Sequence, residues 1–424
     1  MRPVSQSPLK LSRFDRSCLQ GDEGPACRFA MTLITEVARA TAASRLIDIS
    51  QAHLVGSYDS GPANVKFLDL MLEQGAKVRV PTSLNASSAC VESGSPSAAQ
   101  DVRRARDVIR RYETMGCTPT LTCAPYHLSS LPRKGEVIAW AESNAIVYAN
   151  SVIGARTNKT MQYLDFCAAI TGRIPACGLY LDDQRLATVH IDCSGISVDR
   201  WSESLSWQLL GLLTGTLAGS AVPVLTGMAD RATADDLRAL GSGAASTGNV
   251  AMFHAVGLTA EAPDLESATG GRPVTTRFEV GDRELDTLEN QYGAAPGTPI
   301  SAICLGTPHF SFAEFQQLQA EFADAGQVCV IPFYVTTSRH VRDQLDRHGY
   351  SESLVKSGVR VLTDSCSYYG RVVPGLSGTV MTNSAKWAYY ASGNLGIKSS
   401  LSSLSDCVAS AISGQVERRT VAQP

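Results

Sequence analysis

The chain has 424 residues, 44% hydrophobic and 18% charged, with a formal net charge of −3. That length accommodates two or three domains with large buried cores, and the slight acidity argues against nucleic acid as the main partner, because there is no basic excess to neutralise phosphates. No run of 18 apolar residues occurs, and no basic patch precedes an apolar stretch, so neither a membrane span nor a secretory signal is expected; a cytoplasmic location follows by default.

Residues 24–43 place Phe29, Leu33, Val37 and Ala40 at helical spacing and predict a helix. Arg45 to Ile49 reads as a strand whose tip is the polar segment through His53. Residues 65–74 read as a helix, and Lys77 to Val80 as a strand stopped by Pro81. Arg103, Arg104, Arg106, Arg110 and Arg111 recur at helical spacing and read as a solvated face. Leu209 to Val224 is apolar but interrupted by Gly211, Gly215, Gly219 and Pro223, which fits a buried helix and turn. The segment 266–298, rich in Gly, Pro and charge, holds a domain boundary. Beyond it, Ile300 to Leu305, Val328 to Phe333 and Val359 to Leu362 read as strands, with helices over Phe312 to Ala325 and Arg339 to Leu345, forming a three-strand βαβαβ unit. The first dozen residues and the tail from Glu417 read as loosely ordered. This alternation predicts an α/β fold with mainly parallel sheets, divided into a larger region over 1–285, with room for two lobes, and a smaller domain over 286–424.

Ligands in such folds bind at the carboxyl ends of strands. The tips here are dense in hydroxyls and amides: Thr82 to Ser88, Thr122 to Tyr126, Glu142 to Ala145, and Ala149 to Asn158. They suit either recognition of a polar ligand or plain turn and cap chemistry. Twelve cysteines are dispersed without a CxxC or CxxH pair, which argues against a zinc ribbon and means that any metal site must gather distant thiols. Cys123 and Cys366 stand at strand ends and Cys304 just before one; each is readable as a thiolate ligand or as an inert buried thiol. His53 and His309 occupy tips where they could shuttle a proton or bind an anion. His254 lies in an apolar run and reads as a core residue. Arg173, beside Gly172, could fork onto a carboxylate ligand or form a structural ion pair.

The strings Gly21-Asp22-Glu23-Gly24-Pro25, Val80-Pro81-Thr82-Ser83-Leu84-Asn85, Trp140-Ala141-Glu142-Ser143-Asn144-Ala145, Ala149-Asn150-Ser151-Val152-Ile153-Gly154-Ala155-Arg156-Thr157-Asn158, Gly306-Thr307-Pro308-His309 and Thr363-Asp364-Ser365-Cys366 run the length of the chain in one order. Together they resemble the aconitase X family over its catalytic large subunit. The resemblance implies an aconitase-superfamily-like arrangement of α/β/α layers and a hydro-lyase activity on a small hydroxy acid, cis-3-hydroxy-L-proline in preference to mevalonate 5-phosphate. It implies an iron–sulfur cluster held by three cysteines, here Cys123, Cys304 and Cys366, with Cys90 in reserve. It also implies a small swivelling domain, expected as a separate subunit that supplies a catalytic serine. His53, Asn85, Ser143 and His309 are then the catalytic candidates. Substrate contact falls to Ser87, Tyr126, Asn144, Asn150 and Asn158, and to the cations Arg173 and Lys386. Two further readings stay open: a non-catalytic α/β binding protein without metal, and a metal-free isomerase using Cys123 as base.

Overall fold

The computed structural model describes residues 9–418 apart from 58, 59, 93, 161, 230, 231, 370 and 371. Most of the terminal segments read as loosely ordered therefore lie outside the described residues, although Lys10 forms a parallel bridge to Arg45. Three parallel sheets organise the described chain. Thr82–Leu84, Ala52–Leu54 and Ala139–Trp140 form the first, with Ala52–Leu54 central. His254–Ala255, Pro223–Thr226, Val189–Gly195 and Thr276–Gly281 form the second in that order. The third has five strands in the order Val359–Leu362, Phe333–Thr336, Ala302–Leu305, Thr379–Thr382 and Lys398–Leu401. A fourth, antiparallel pair joins Leu46–Asp48 to Arg173–Pro175. Parallel sheets are buried on both faces, and each parallel sheet has a hydrophobic cluster of its own. No described helix is long and apolar enough to cross a membrane.

The expected helix at 24–43 is Pro25–Ala40, but its buried stripe is Ala26, Cys27, Ala30, Met31, Ile34, Thr35 and Ala38, while Phe29 is 39% exposed. The period was readable and the face was not, because the small residues of this helix mark where it packs closely. Helix Ser204–Ala218 contains Gly211 and Gly215 of the apolar run, and Gly219 caps its end. A methyl group at Gly211 would lie 2.5 Å from the Leu240 carbonyl oxygen, and one at Gly243 2.8 Å from the Gly211 carbonyl carbon. These glycines let that helix touch the backbone of Ala234–Thr247. Segment 266–298 is itself structured, as edge strand Thr276–Gly281 and helix Asp282–Tyr292, whose Leu285 lies in the core of the second sheet.

Several strands are displaced from their expected positions. Lys77 to Val80 is not a strand: Val78 and Arg79 donate to the carbonyls of Met115 and Ala169, outside any sheet, and the ladder starts only after Pro81. Val328 and Val330 are exposed, and the strand begins only at Phe333, where the expected strand was to end, and runs to Thr336. His53 likewise sits inside a central strand and is fully buried. In each case an apolar or polar run fixed local character, while the position of a neighbouring strand fixed the ladder.

Helix Gln162–Thr171 carries a buried carboxyl, Asp165, whose oxygens both accept from Thr160 Oγ1 at 2.7 Å. Burial raises its pKa to about 7. In the unfolded chain the group ionises near pH 4, so unfolding releases a proton between those values and stability falls as pH rises through that window. Asp165→Asn is expected to remove this dependence, on the order of 4 kcal/mol at full extent. Melting curves at pH 5 and pH 8 check it: the variant should gain on the wild type at pH 8, and parallel curves would refute the assignment.

Candidate active site

The carboxyl ends of the first and third sheets face one another. Ser87, just past strand Thr82–Leu84, forms a parallel bridge with Ser365, just past Val359–Leu362. Its N–H donates to the Asp364 carbonyl at 2.6 Å, and Ser365 Oγ donates to the Ser87 carbonyl at 2.6 Å. This stitch brings together tips that are far apart in sequence. Ser87, expected to contact substrate, is fully buried and its backbone serves this seam.

Two cysteines meet there. Cys366 Sγ lies 3.5 Å from Cys123 Sγ, and the His309 N–H donates to Cys123 Sγ at 3.2 Å. Among the described residues, the group of side chains placed to hold a metal ion is Cys123, His309 and Cys366. Leu121 (φ 47°) and Asp364 (φ 71°) take the left-handed region, each two residues before one of the cysteines. Such a conformation costs about 1–2 kcal/mol in a non-glycine residue and persists where surrounding contacts dictate it. For Asp364 those contacts are Arg339 Nε and Nη2, at 2.6 and 2.9 Å. The hydrogen bond to Cys123, together with burial, holds the Cys366 thiol well above its ordinary range.

The ring of His309 is committed at both nitrogens. Nε2 must donate to the Ser365 carbonyl at 2.9 Å, since a carbonyl only accepts. Nδ1 then accepts from Thr122 Oγ1 at 3.0 Å, while that oxygen receives the Ala124 N–H. Burial pushes its pKa down to about 4, against the Ser365 bond and Glu142. The imidazole is thus a neutral clamp between the Cys123 and Cys366 loops. His53 is also neutral: it pairs with Ser83 Oγ at 2.7 Å through Nδ1, and burial lowers its pKa to about 4 despite the nearby Glu142.

Beside the thiols lies a buried ion pair between Glu142 and Lys386. Glu142 follows strand Ala139–Trp140, and Lys386 stands in the first turn of helix Ala385–Leu395, capped by Ser384. Glu142 Oε1 accepts from Lys386 Nζ and, at 2.8 Å, from Asn144 Nδ2; Oε2 accepts from Asn85 Nδ2 at 2.8 Å. Ser143 Oγ reaches Oε1 at 3.3 Å. Tyr126 OH donates to Asn144 Oδ1 at 2.6 Å, orienting the amide. Burial alone would raise the Glu142 pKa, but Lys386 and the two amides bring it to about 2. Against its own burial, Lys386 is held firmly protonated by Glu142. The pair opens into a pocket of about 330 Å³ walled by Tyr368, Tyr369, Tyr390 and Val55. Tyr368 shares a buried cluster with Cys123 and Cys366.

Four expected site residues, and the reserve ligand Cys90, are not brought to this constellation as ligands. Cys304 belongs to the same buried cluster but lies inside strand Ala302–Leu305, short of its tip, and is not in the metal-holding group; neither is Cys90. Arg173 forks onto Asp15, with Nε to Oδ1 at 2.9 Å and Nη2 to Oδ2 at 3.2 Å, and also reaches Asp48 at 2.6 Å, so its charge is spent structurally. Asn150 donates to the carbonyls of Thr157 and Ala251 and accepts from the Thr157 N–H and Arg185. Asn158 secures the turn at Gly178 through the Cys177 carbonyl and the Leu179 N–H. His254, read as a core residue, pairs with the Arg185 carbonyl. Glu142 opens one of the expected polar tips but was not among the expected site residues; its one available signal was an acid inside the otherwise uncharged Trp140-to-Ala145 string.

Three family models match the chain in order: Aconitase X first domain over residues 8–183, Aconitase X second domain over 187–290, and Aconitase X third domain over 300–413. A cis-3-hydroxy-L-proline dehydratase of Pseudomonas aeruginosa is 40% identical over 414 residues, covering 96% of this chain and 70% of that protein. A phosphomevalonate dehydratase large subunit of Thermococcus kodakarensis is 32% identical over 387 residues, covering 90% of this chain and 95% of that subunit. Among solved structures, the crystal structure of Thermococcus kodakaraensis aconitase X in its holo form matches with a TM-score of 0.85 at 29% identity, over 95% of this chain and 100% of that one.

Proposed function

The chain belongs to the aconitase X family, and from that premise we propose that it eliminates water from cis-3-hydroxy-L-proline to give a pyrroline-2-carboxylate. The observation that carries this reading is the thiol pair Cys123–Cys366 in the same buried cluster as the pocket wall, beside a buried carboxylate–ammonium pair.

The donor set fits a thiophilic metal. Sulfurs 3.5 Å apart can share one ion, because metal–thiolate bonds are about 2.3 Å long. Cys123 and Cys366 would hold it; the family's iron–sulfur cluster is the group we favour, with two thiols here where the resemblance implied three. When bound, such a group supplies a Lewis acid for the departing hydroxide. The protein's own groups orient the substrate. Asn85 and Asn144 fix Glu142, and Lys386 offers a permanent cation to the substrate carboxylate.

None of these groups is suited to remove the proton next to the carboxylate. Glu142, with a pKa near 2, is a weak base. Lys386 is fully protonated, and the two histidines, with pKa values near 4, are weakly basic. The base then comes from elsewhere, and a partner subunit is the source we propose. The relative matched over 95% of its length is named a large subunit, which supports a small-subunit partner; the dehydratase that supports the substrate is matched over only 70% of its length, which favours the reading that in that relative the missing part belongs to one longer chain.

The chain combined with its small-subunit partner is expected to turn over cis-3-hydroxy-L-proline, detected by formation of the pyrroline-2-carboxylate. Turnover of mevalonate 5-phosphate alone would overturn the substrate assignment in favour of the phosphomevalonate reading.

A further inference from the structure

We propose that Glu142 is the specificity residue of this site: paired with Lys386, it forms a receptor for a zwitterion, Glu142 taking the substrate's secondary ammonium and Lys386 its carboxylate. The inference rests on the dehydratase reading and extends it to the class of substrate that the pocket selects.

The first argument is hydrogen-bond capacity. An ammonium carries three donors. Among the described residues, Lys386 Nζ spends one, on Glu142 Oε1, which leaves donors for a bound carboxylate. Glu142 Oε1 is crowded by Lys386, Asn144 and Ser143, whereas Oε2 accepts from Asn85. A carboxylate oxygen has two lone-pair sites, so Oε2 retains one for a cationic N–H. The amides of Asn85 and Asn144 hold both oxygens in place before any ligand arrives, so little ordering remains to be done on binding.

Charge balance gives the second argument. The described residues lining the pocket include one cation, Lys386, and one carboxylate, Glu142, and both are almost fully buried. A zwitterion laid against this pair sets each charge opposite its counterpart and adds no net charge to a desolvated site. A phosphorylated hydroxy acid brings a surplus of negative charge into the same space, and unpaired buried charge is costly. The walls of Tyr368, Tyr369, Tyr390 and Val55 offer apolar surface to a small saturated ring. Charge balance and wall chemistry together describe a cyclic imino acid.

The test compares two inhibitors of cis-3-hydroxy-L-proline turnover by the complete enzyme: L-proline, which carries the ammonium, and tetrahydrofuran-2-carboxylate, which replaces it with an ether oxygen. Wild-type enzyme is expected to bind L-proline at least about tenfold more tightly, the value of one hydrogen bond between charged groups. Glu142→Gln should lower the preference for L-proline over tetrahydrofuran-2-carboxylate by about tenfold or more; Glu142→Asp should recover part of that preference. Equal binding of the two acids by the wild type overturns the receptor without any variant. Equal loss of both acids in Glu142→Gln overturns it as well, since a merely structural role weakens both. In either case the dehydratase reading stands as long as cis-3-hydroxy-L-proline is turned over; absence of that turnover removes the reading itself and the receptor with it.

Discussion

On the proposed iron–sulfur site, Cys366→Ala is expected to abolish iron binding and to lower turnover by about 10³-fold or more, the scale of several kcal/mol of transition-state stabilisation by a Lewis acid. The thiol sits 3.5 Å from Cys123 at the end of a loop fixed by the Ser87–Ser365 seam and the Arg339–Asp364 fork. Removing one sulfur there deletes a ligand without touching the framework, and alanine in place of a small buried thiol leaves the core packed. Cys304→Ala is the matched control, because that side chain is equally buried but outside the metal-holding group. Iron content, visible absorbance and rate of the anaerobically prepared protein separate the cases. Loss of iron in Cys304→Ala with retention in Cys366→Ala would reverse the ligand assignment. Full activity in an iron-free Cys366→Ala would favour the metal-free isomerase.

Arg173→Met is expected to cost about 3–5 kcal/mol of stability and to leave the rate per folded molecule unchanged. The guanidinium neutralises Asp15, which is fully buried at the start of helix Arg13–Gln20, and ties that helix to the antiparallel pair Leu46–Asp48 and Arg173–Pro175. Without it the carboxylate keeps Ser12 as its capping partner but loses its counter-charge. Burial works to raise the Asp15 pKa; the bonds from Arg173 and Ser12 outweigh it and hold the value below the ordinary range. The stabilisation is therefore complete above the unfolded carboxyl pKa and fades as pH falls through the lower folded value. Urea midpoints should show the full gap between wild type and variant at pH 7 and a narrowed gap near pH 3. A catalytic defect at unchanged stability would instead place Arg173 in the substrate site.

The two substitutions mark where sequence reading works. Cys366 follows strand Val359–Leu362 as its reading as a strand end expected, whereas Cys123 follows no described strand and reaches Cys366 from a loop, held there by the His309 N–H. Arg173, Asn150 and Asn158 stand at polar tips of the same appearance, yet Arg173 donates to Asp15, Asn150 donates to the Thr157 and Ala251 carbonyls and accepts from Arg185, and Asn158 is taken up by the turn at Gly178. Residue type and position announce a capacity to bond and say nothing of whether a partner within the protein has already taken it. Cys304 shows the corresponding limit along a strand, where a shift of one or two residues moves a side chain from the mouth of the crevice into the core.

The sequence by itself determined the α/β class, the parallel character of the sheets, the family, and most of the tips from which the site is built, because those rest on local periodicity and on motif strings. Only the tertiary structure decided which tips meet. Glu142 and Lys386 are 244 residues apart, and neither has a reason to be buried until the other arrives to cancel its charge. Their pairing depends on two sheets presenting their carboxyl ends to each other, and no pattern within a short window of chain encodes that apposition.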